Sequence, residues 1–195
     1  MRVNPKYIEV FGDTIIPLLG YFLWEWDLYF IVLYFILEMI FSEGFLHLKS
    51  YKVYSFQNPK SSWLLPGSMG IVALIALVFL IHAGFSFLIP TIDFQKQIVS
   101  FLSYEDMGIA QGFILFPLLF ITGYQKYKLE FIRLKKYETE SIPNLWKSHL
   151  VKYLFVLLLI GFCSLMMLIG FSNSLIYLTV ILLASASYKI LVNPS

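Results

Sequence analysis

The feature that most restricts the fold of this chain is the length of its apolar segments. Largely apolar stretches recur along the 195 residues and are separated by polar linkers. A helix needs about 20 apolar residues to cross roughly 30 Å of hydrocarbon at about 1.5 Å per residue. The apolar segments have about that length. Only 13% of the residues are charged, whereas soluble domains have about a quarter. The sequence therefore predicts an integral membrane protein built from helices.

Six segments are predicted to cross the membrane and to form an all-α helix bundle, a single transmembrane domain that covers residues 1–195. The predicted spans are 7–23, 28–48, 68–90, 107–124, 149–171 and 174–192. The N-terminus is basic and then apolar but lacks a small-residue cleavage pattern, so we expect the first span to be retained. The linkers leave no room for a soluble domain of useful size.

The distribution of Lys and Arg predicts the orientation of the bundle. With six spans, both termini lie on one side of the membrane. That side receives all of the fourteen basic residues except Lys96. An excess of Lys and Arg in short loops marks the cytoplasmic side. We therefore expect cytoplasmic termini, and a multi-pass protein in a bacterial inner membrane with the lipid bilayer as its first partner.

The linker between the fourth and fifth spans predicts a short amphipathic helix at the cytoplasmic surface. Its apolar positions recur at helical spacing at Tyr124, Tyr127, Phe131 and Leu134. The basic residues around the rest of this helix are Lys128, Arg133, Lys135 and Lys136. Each would gain about 1 kcal/mol from anionic lipid headgroups near the surface. The alternative is a loop that only follows the positive-inside rule.

Ionisable residues within the apolar segments are the candidate functional residues. Glu38 is predicted to lie about 15 Å deep in the second span, where a charged carboxylate costs at least about 2.5 kcal/mol. Tyr34 and Ser42 lie one helical turn to either side, so the three residues predict a polar stripe that faces other helices. His82 has nearly the same predicted depth in the third span, and we expect it to face Glu38.

A second polar layer is predicted nearer the cytoplasm and contains Asp13, Glu43 and His47. Glu43 and His47 are one turn apart on the same helix, so they are expected to pair. Both layers are compatible with a proton or ion route or with a polar pocket. For Glu38, hydrogen bonds that only hold helices together are an equal alternative; for His82, and more strongly for Asp13, Glu43 and His47, they are the favoured interpretation. Gly108 and Gly112 match the G-x-x-x-G pattern of close helix packing.

Motifs of known catalytic chemistry are absent from the sequence. There is no G-x-x-x-x-G-K-[ST], G-x-S-x-G or H-E-x-x-H pattern. The three histidines are too few and too scattered to predict a metal site. We therefore expect no catalytic residues and no nucleic-acid partner, and the sequence indicates no cofactor.

The stretch 17–49 and the segment 77–88 resemble an uncharacterised family of bacterial multi-span membrane proteins, the DUF6498 domain family. The matching features are a Trp26–Asp27 turn, an aromatic residue before Glu38, Lys49, and His82 in the third span. Met39 stands where the family pattern has asparagine. The resemblance implies no activity, and it singles out Glu38 and His82 as a shared pair.

These observations lead to two functional hypotheses. The first is a non-enzymatic subunit or scaffold that packs in the membrane against other membrane proteins or against copies of itself. The small mass of 22.7 kDa and the lack of a soluble domain favour it. The second is a small proton-linked transporter or channel that uses Glu38 and His82.

Overall fold

The computed structural model describes residues 5–58, 62–103, 105–106, 109–171 and 173–191, and within them the chain is helical apart from one short β-ladder. In chain order the elements are α1 (Pro5–Leu23), α2 (Leu28–Gln57), α3 (Leu64–Leu88), α4 (Phe94–Ser103), β1 (Glu105–Asp106), β2 (Ile109–Ala110), α5 (Gln111–Lys126), a π-helical segment (Tyr127–Ile132), α6 (Lys136–Thr139), α7 (Ile142–Leu168) and α8 (Ser174–Leu191). The helical fold agrees with the sequence-based prediction.

Three of these helices, α2, α3 and α7, are long and apolar enough to cross a membrane. They correspond to the second, third and fifth predicted spans. The apolar stretches of α1, α5 and α8 are shorter. Along α3, large apolar side chains point away from the protein at Met69, Val72, Ile75 and Phe79. Such a surface suits contact with lipid, because water would not solvate it.

Helix α2 is the central element and is longer than predicted. Asp27 caps its first turn by accepting a hydrogen bond from Phe30 N at 2.7 Å. The helix ends where Asn58 adopts a left-handed conformation with φ 48°. Its 30 residues span about 45 Å at 1.5 Å per residue, which exceeds the roughly 30 Å of a hydrocarbon core. Part of α2 therefore extends beyond the thickness that a membrane can cover.

The predicted amphipathic helix after the fourth span is not a separate helix. Helix α5 continues through the π-helical segment, and α6 follows after a turn. Phe131 is only 3% exposed, because it packs against Leu46 and Val53 of α2 and against Trp146. The segment thus packs on the extension of α2 and does not turn its aromatic face to lipid. The four basic residues are exposed, as expected: Lys128, Arg133, Lys135 and Lys136.

The region before α5 also differs from the prediction. The fourth span was expected to begin at Met107, whereas α5 begins at Gln111. Before α5, the chain forms the amphipathic helix α4 and then the short antiparallel pair β1–β2. A Cβ atom on Gly112 would lie 3.1 Å from the Leu102 carbonyl oxygen, so glycine permits close packing of α4 on α5. Gly108, the other glycine of the G-x-x-x-G pattern, lies outside the described residues.

Candidate functional site

Three charged side chains from three helices meet in the first buried cluster, which we name the Glu38 cluster. Glu38 Oε1 lies 3.1 Å from Lys189 Nζ of α8 and 3.8 Å from Lys152 Nζ of α7. Lys189 donates a hydrogen bond to this oxygen. The exposed fractions of the Lys189 and Lys152 side chains are 10% and 18%. The two ammonium groups, which are themselves largely shielded from solvent, offset the free-energy cost of placing a carboxylate in the middle of the apolar helix α2.

The predicted pairing of Glu38 with His82 is wrong, because each residue has other partners. His82 Nε2 lies 2.9 Å from the Tyr29 hydroxyl, and Nδ1 lies 2.7 Å from the Val78 carbonyl oxygen. A carbonyl can only accept, so Nδ1 donates to Val78, and Nε2 shares a hydrogen bond with the Tyr29 hydroxyl. His82 also packs edge-on against Phe94. Tyr29 precedes Glu38 by nine residues on α2, about 14 Å along the helix axis, so His82 lies level with Tyr29 and not with Glu38.

Three other members of the predicted polar layers, Tyr34, Ser42 and Asp13, are not seen in the ion pairs of the described residues. Tyr34 is 1% exposed and packs among aromatic rings beside Trp26 and Phe35. Ser42 is half-buried and takes no part in the ion pairs of the described residues. The side chain of Asp13 lies outside what the structure describes. The predicted stripe on α2 thus contributes one residue, Glu38, to a charged contact.

The second buried cluster, the Glu43 cluster, joins α2 to α7. Glu43 is 4% exposed, although its predicted position near the cytoplasm suggested contact with water. Tyr153 donates a hydrogen bond to Glu43 Oε2 at 2.5 Å. His149 Nε2 lies 2.7 Å from the same oxygen, and His47 Nε2 lies 3.4 Å from Oε1. The i, i+4 spacing correctly predicted the contact of His47 with Glu43.

Gly67 and Gly70 of α3, together with Trp146 of α7, enclose the Glu43 cluster. A Cβ atom on Gly70 would meet the Trp146 ring and would lie 2.5 Å from Glu43 Oε1. A Cβ atom on Gly67 would lie 2.7 Å from Cε1 of His47. The Trp146 ring packs edge-on against the ring of His47. Helix α3 therefore approaches the cluster through its backbone and leaves little room for solvent.

Several polar atoms of this cluster are not fully satisfied. Among the described residues, Glu43 Oε1, His47 Nε2 and His149 Nε2 are buried and have no aligned hydrogen-bond partner. The His149 contact, at 2.7 Å, has the length of a charge-assisted hydrogen bond, but the ring N–H deviates from the line between the atoms. We therefore treat it as an ion pair. Buried polar atoms in this condition are uncommon in native proteins and indicate a functional or solvated site.

An apolar chamber of about 170 Å³ lies between α2, α3, α7 and α8. Its walls are aliphatic and aromatic, and they include Val32, Ile36, Ile81, Phe155, Leu159 and Ile181. The Glu38 cluster also lines it. Lys152 is the first lining residue of α7, and Lys189 is the last of α8. The charged groups therefore lie at one end of an otherwise hydrophobic space.

A second cavity adjoins the opposite end of this chamber. It has a volume of about 710 Å³ and includes polar side chains such as Asp27, Asp93 and Lys96. Both cavities are lined by Leu28, Phe85, Met167 and Tyr177. Tyr177 donates a hydrogen bond to the Phe171 carbonyl oxygen at 2.6 Å, which fixes the start of α8 beside this boundary. The chamber is thus bounded by polar groups at both ends.

The fold and these clusters define a helical protein with three helices able to cross a membrane and with buried charges between them. No protein family model, curated protein or solved structure shows a significant match to this chain. The resemblance to the DUF6498 domain family stays a prediction.

Sequence reasoning missed four residues of the two clusters: Lys152, Lys189, His149 and Tyr153. Lys152 and Lys189 were counted among the cytoplasmic basic residues, but both contact Glu38; Lys189 is buried and Lys152 is partly buried. A signal was present in α7. His149, Lys152 and Tyr153 are spaced i, i+3 and i+4 within an apolar helix, which predicts a polar face turned toward other helices.

Proposed function

We propose that this protein binds a single-chain amphiphile with an anionic head group, and that the chamber holds the hydrocarbon chain. The observation that carries the proposal is the placement of Lys152 and Lys189 at one end of an apolar space between membrane-spanning helices. An amphiphile has the same asymmetry, with one charged end and one apolar end. The site thus pairs each part of the ligand with a matching environment.

The charge of the head group follows from the contacts of Glu38. One carboxylate oxygen, Oε1, is shared between two ammonium groups. Lys152 is the more loosely held, at 3.8 Å, and its side chain lines the chamber. An anionic group at the chamber end would accept from Lys152 at hydrogen-bonding distance, and such charged hydrogen bonds contribute about 1.5–3 kcal/mol.

The size of the chamber favours one hydrocarbon chain. Its 170 Å³ is close to the roughly 150 Å³ of an engineered apolar cavity that holds benzene, and it is smaller than most pockets for drug-sized ligands. Along α7 the lining runs from Lys152 to Met167, which is about 22 Å at 1.5 Å per residue. The lining is therefore elongated, which suits one extended hydrocarbon chain.

Photolabelling tests this proposal directly. The protein would be placed in nanodiscs of zwitterionic lipid and labelled with a single-chain fatty acid that carries a diazirine near its end. We expect labelled peptides to include chamber residues of α7 and α8. An unlabelled alkyl sulfonate should compete. In Lys152→Gln, the apparent affinity should fall about tenfold, because one charged hydrogen bond is lost.

The matched control for this experiment is Lys147→Gln, which removes an exposed lysine from the same helix. It should label like the wild type. Labelling confined to lipid-facing residues, or equal affinity in wild type and Lys152→Gln, would refute binding in the chamber.

We also propose that the protein crosses a bacterial inner membrane six times, with both termini in the cytoplasm. The shorter apolar stretches of α1, α5 and α8 would supply the three remaining spans. The proposal depends on the asymmetry of Lys and Arg in the loops. Lys152 and Lys189 no longer contribute to this asymmetry, since they belong to the Glu38 cluster. The remaining inner-loop residues, among them Lys52 and Lys136, still outnumber Lys96.

Cysteine accessibility tests this topology. Single cysteines at Lys52 and Lys136 should be shielded from a membrane-impermeant thiol reagent in intact cells, whereas a cysteine at Gln97 should react. The background would be Cys163→Ser, because Cys163 is the one native cysteine. Reaction of the Lys136 position from outside would exclude the six-span arrangement.

The two hypotheses from the sequence stay predictions. A subunit or scaffold role is compatible with the exposed apolar faces of α3 and α7, but lipid would cover those faces equally well. A proton route through Glu38 and His82 loses its geometrical basis, because the two residues do not contact each other.

A further inference from the structure

The geometry of the Glu43 cluster points to a proton-binding site, in which Glu43, His47 and His149 share one exchangeable proton. This site is separate from the chamber and its proposed ligand. Three titratable side chains from two helices converge on one another there, and the carboxylate between them is 4% exposed. The inference concerns protons alone and involves no metal ion.

The distances indicate that the cluster holds a proton. Nitrogen and oxygen atoms that both present lone pairs repel each other, so an approach to 2.7 Å between His149 Nε2 and Glu43 Oε2 requires that one of the two groups carries a proton. The Tyr153 hydroxyl donates to the same oxygen and so favours a negative charge on it. Oε1 has no aligned partner among the described residues, and His47 Nε2 lies 3.4 Å away. The proton therefore has a second acceptor available.

Charge balance explains why the number of shared protons is one. With Glu43 ionised and one imidazole protonated, or with a neutral carboxyl and two neutral imidazoles, the cluster is uncharged. Loss of the proton leaves one buried negative charge, and gain of a second leaves one buried positive charge. Either change is costly in a membrane-spanning segment. Proton transfer between Oε2 and Nε2 conserves the total charge and breaks no other bond.

The surroundings contain few other groups that could hold this proton. On α2 the nearby charged group is Lys49, and on α7 it is Lys152, one turn from His149. Both repel a second proton. Helix α3 faces the cluster with Gly67 and Gly70, and its one titratable residue, His82, is engaged with Val78 and Tyr29. The proton is therefore confined to the carboxylate and the two imidazoles.

Nitrogen NMR of the protein with ¹⁵N-labelled histidine tests the inference. The three histidines would be assigned by single substitutions and followed from about pH 4 to pH 9, a range that includes the ordinary pKa values of Glu and His. We expect the Nε2 signals of His47 and His149 to lie between their charged and neutral positions and to move together in coupled steps. His82 is the internal control, and its signals should not follow these steps.

Glu43→Gln removes the carboxylate while it retains an oxygen that accepts from Tyr153. In this variant His47 and His149 should lose their coupling and titrate independently. If Glu43→Gln does not fold, Tyr153→Phe should keep the coupling but shift the steps, because it removes one donor to Oε2. The inference is overturned if His47 and His149 titrate independently in the wild type, or if both stay neutral throughout the range.

Discussion

Replacing Glu43 by leucine is expected to destabilise the protein by about 3 kcal/mol, which is typical for the loss of one partner from a buried charged contact. The change would leave His149, which is 8% exposed, and the Tyr153 hydroxyl facing an apolar side chain. Both groups would then be buried without their main partner, and buried polar groups are costly when unpaired. Unfolding of the purified protein in detergent micelles, followed by tryptophan fluorescence, would measure the difference.

Glu43→Gln is the control for this prediction, since the amide oxygen can still accept from Tyr153. We expect it to cost only about 1 kcal/mol, which is the usual contribution of one hydrogen bond. Equal stability of the leucine variant and the wild type would show that the cluster does not hold α2 and α7 together.

Glu38→Gln is expected to have two opposite effects, a lower stability and a higher affinity for an anionic amphiphile. The stability falls because Lys152 and Lys189 lose the carboxylate that both of them contact. The affinity rises because the same carboxylate repels an anionic head group and competes for the ammonium of Lys152. At a few ångströms and a moderate effective dielectric constant, removal of one charge changes the binding energy by more than 1 kcal/mol, so we expect an increase of roughly tenfold. Competition photolabelling with an alkyl sulfonate would measure it, because a sulfonate does not titrate in the physiological range.

Ser42→Ala is the matched control for Glu38→Gln. It changes a half-buried polar residue one turn away on the same face of α2 and should alter neither quantity by much. A fall in affinity for the sulfonate in Glu38→Gln would mean that Glu38 does not compete with the anionic head group, and the proposed direction of the effect would be wrong.

Much of the helical architecture could be predicted because membrane thickness restricts segment length. The apolar blocks that became α2, α3 and α7 are long enough for that argument to work. The end of α2 could not be predicted in this way. Residues 49–57 are polar and aromatic, and they remain helical because they pack on later parts of the chain. Phe56 contacts the Tyr137 ring, and Gln57 donates to the Tyr137 and Glu140 carbonyl oxygens.

Within the candidate site, only contacts between residues close together in the sequence could be predicted. Glu43 and His47 lie four residues apart on one helix, so their spacing predicted their contact. The bond from Tyr153 to Glu43 joins residues 110 positions apart, and no periodicity in the sequence encodes it. For His82, the predicted depth in the third span did not fix its level against α2. His82 lies level with Tyr29, nine residues before Glu38 and about 14 Å from it along the helix axis, so the two side chains do not meet.

The π-helical segment after α5 has a consequence for how this chain tolerates insertions and deletions. A π turn accommodates one more residue than an α turn, so side chains at the end of the segment are rotated from where an uninterrupted α-helix would place them. The helix packs on α2 to either side of Tyr127: Phe120 contacts Phe45 before it, and Phe131 packs against Leu46 and Val53 after it. In a related sequence, loss of one residue here would restore the α-helix and turn Phe131 out of its apolar site. A gap at this point of an alignment would thus mark a change in how the C-terminal end of α2 is packed, even where the flanking helices were unchanged.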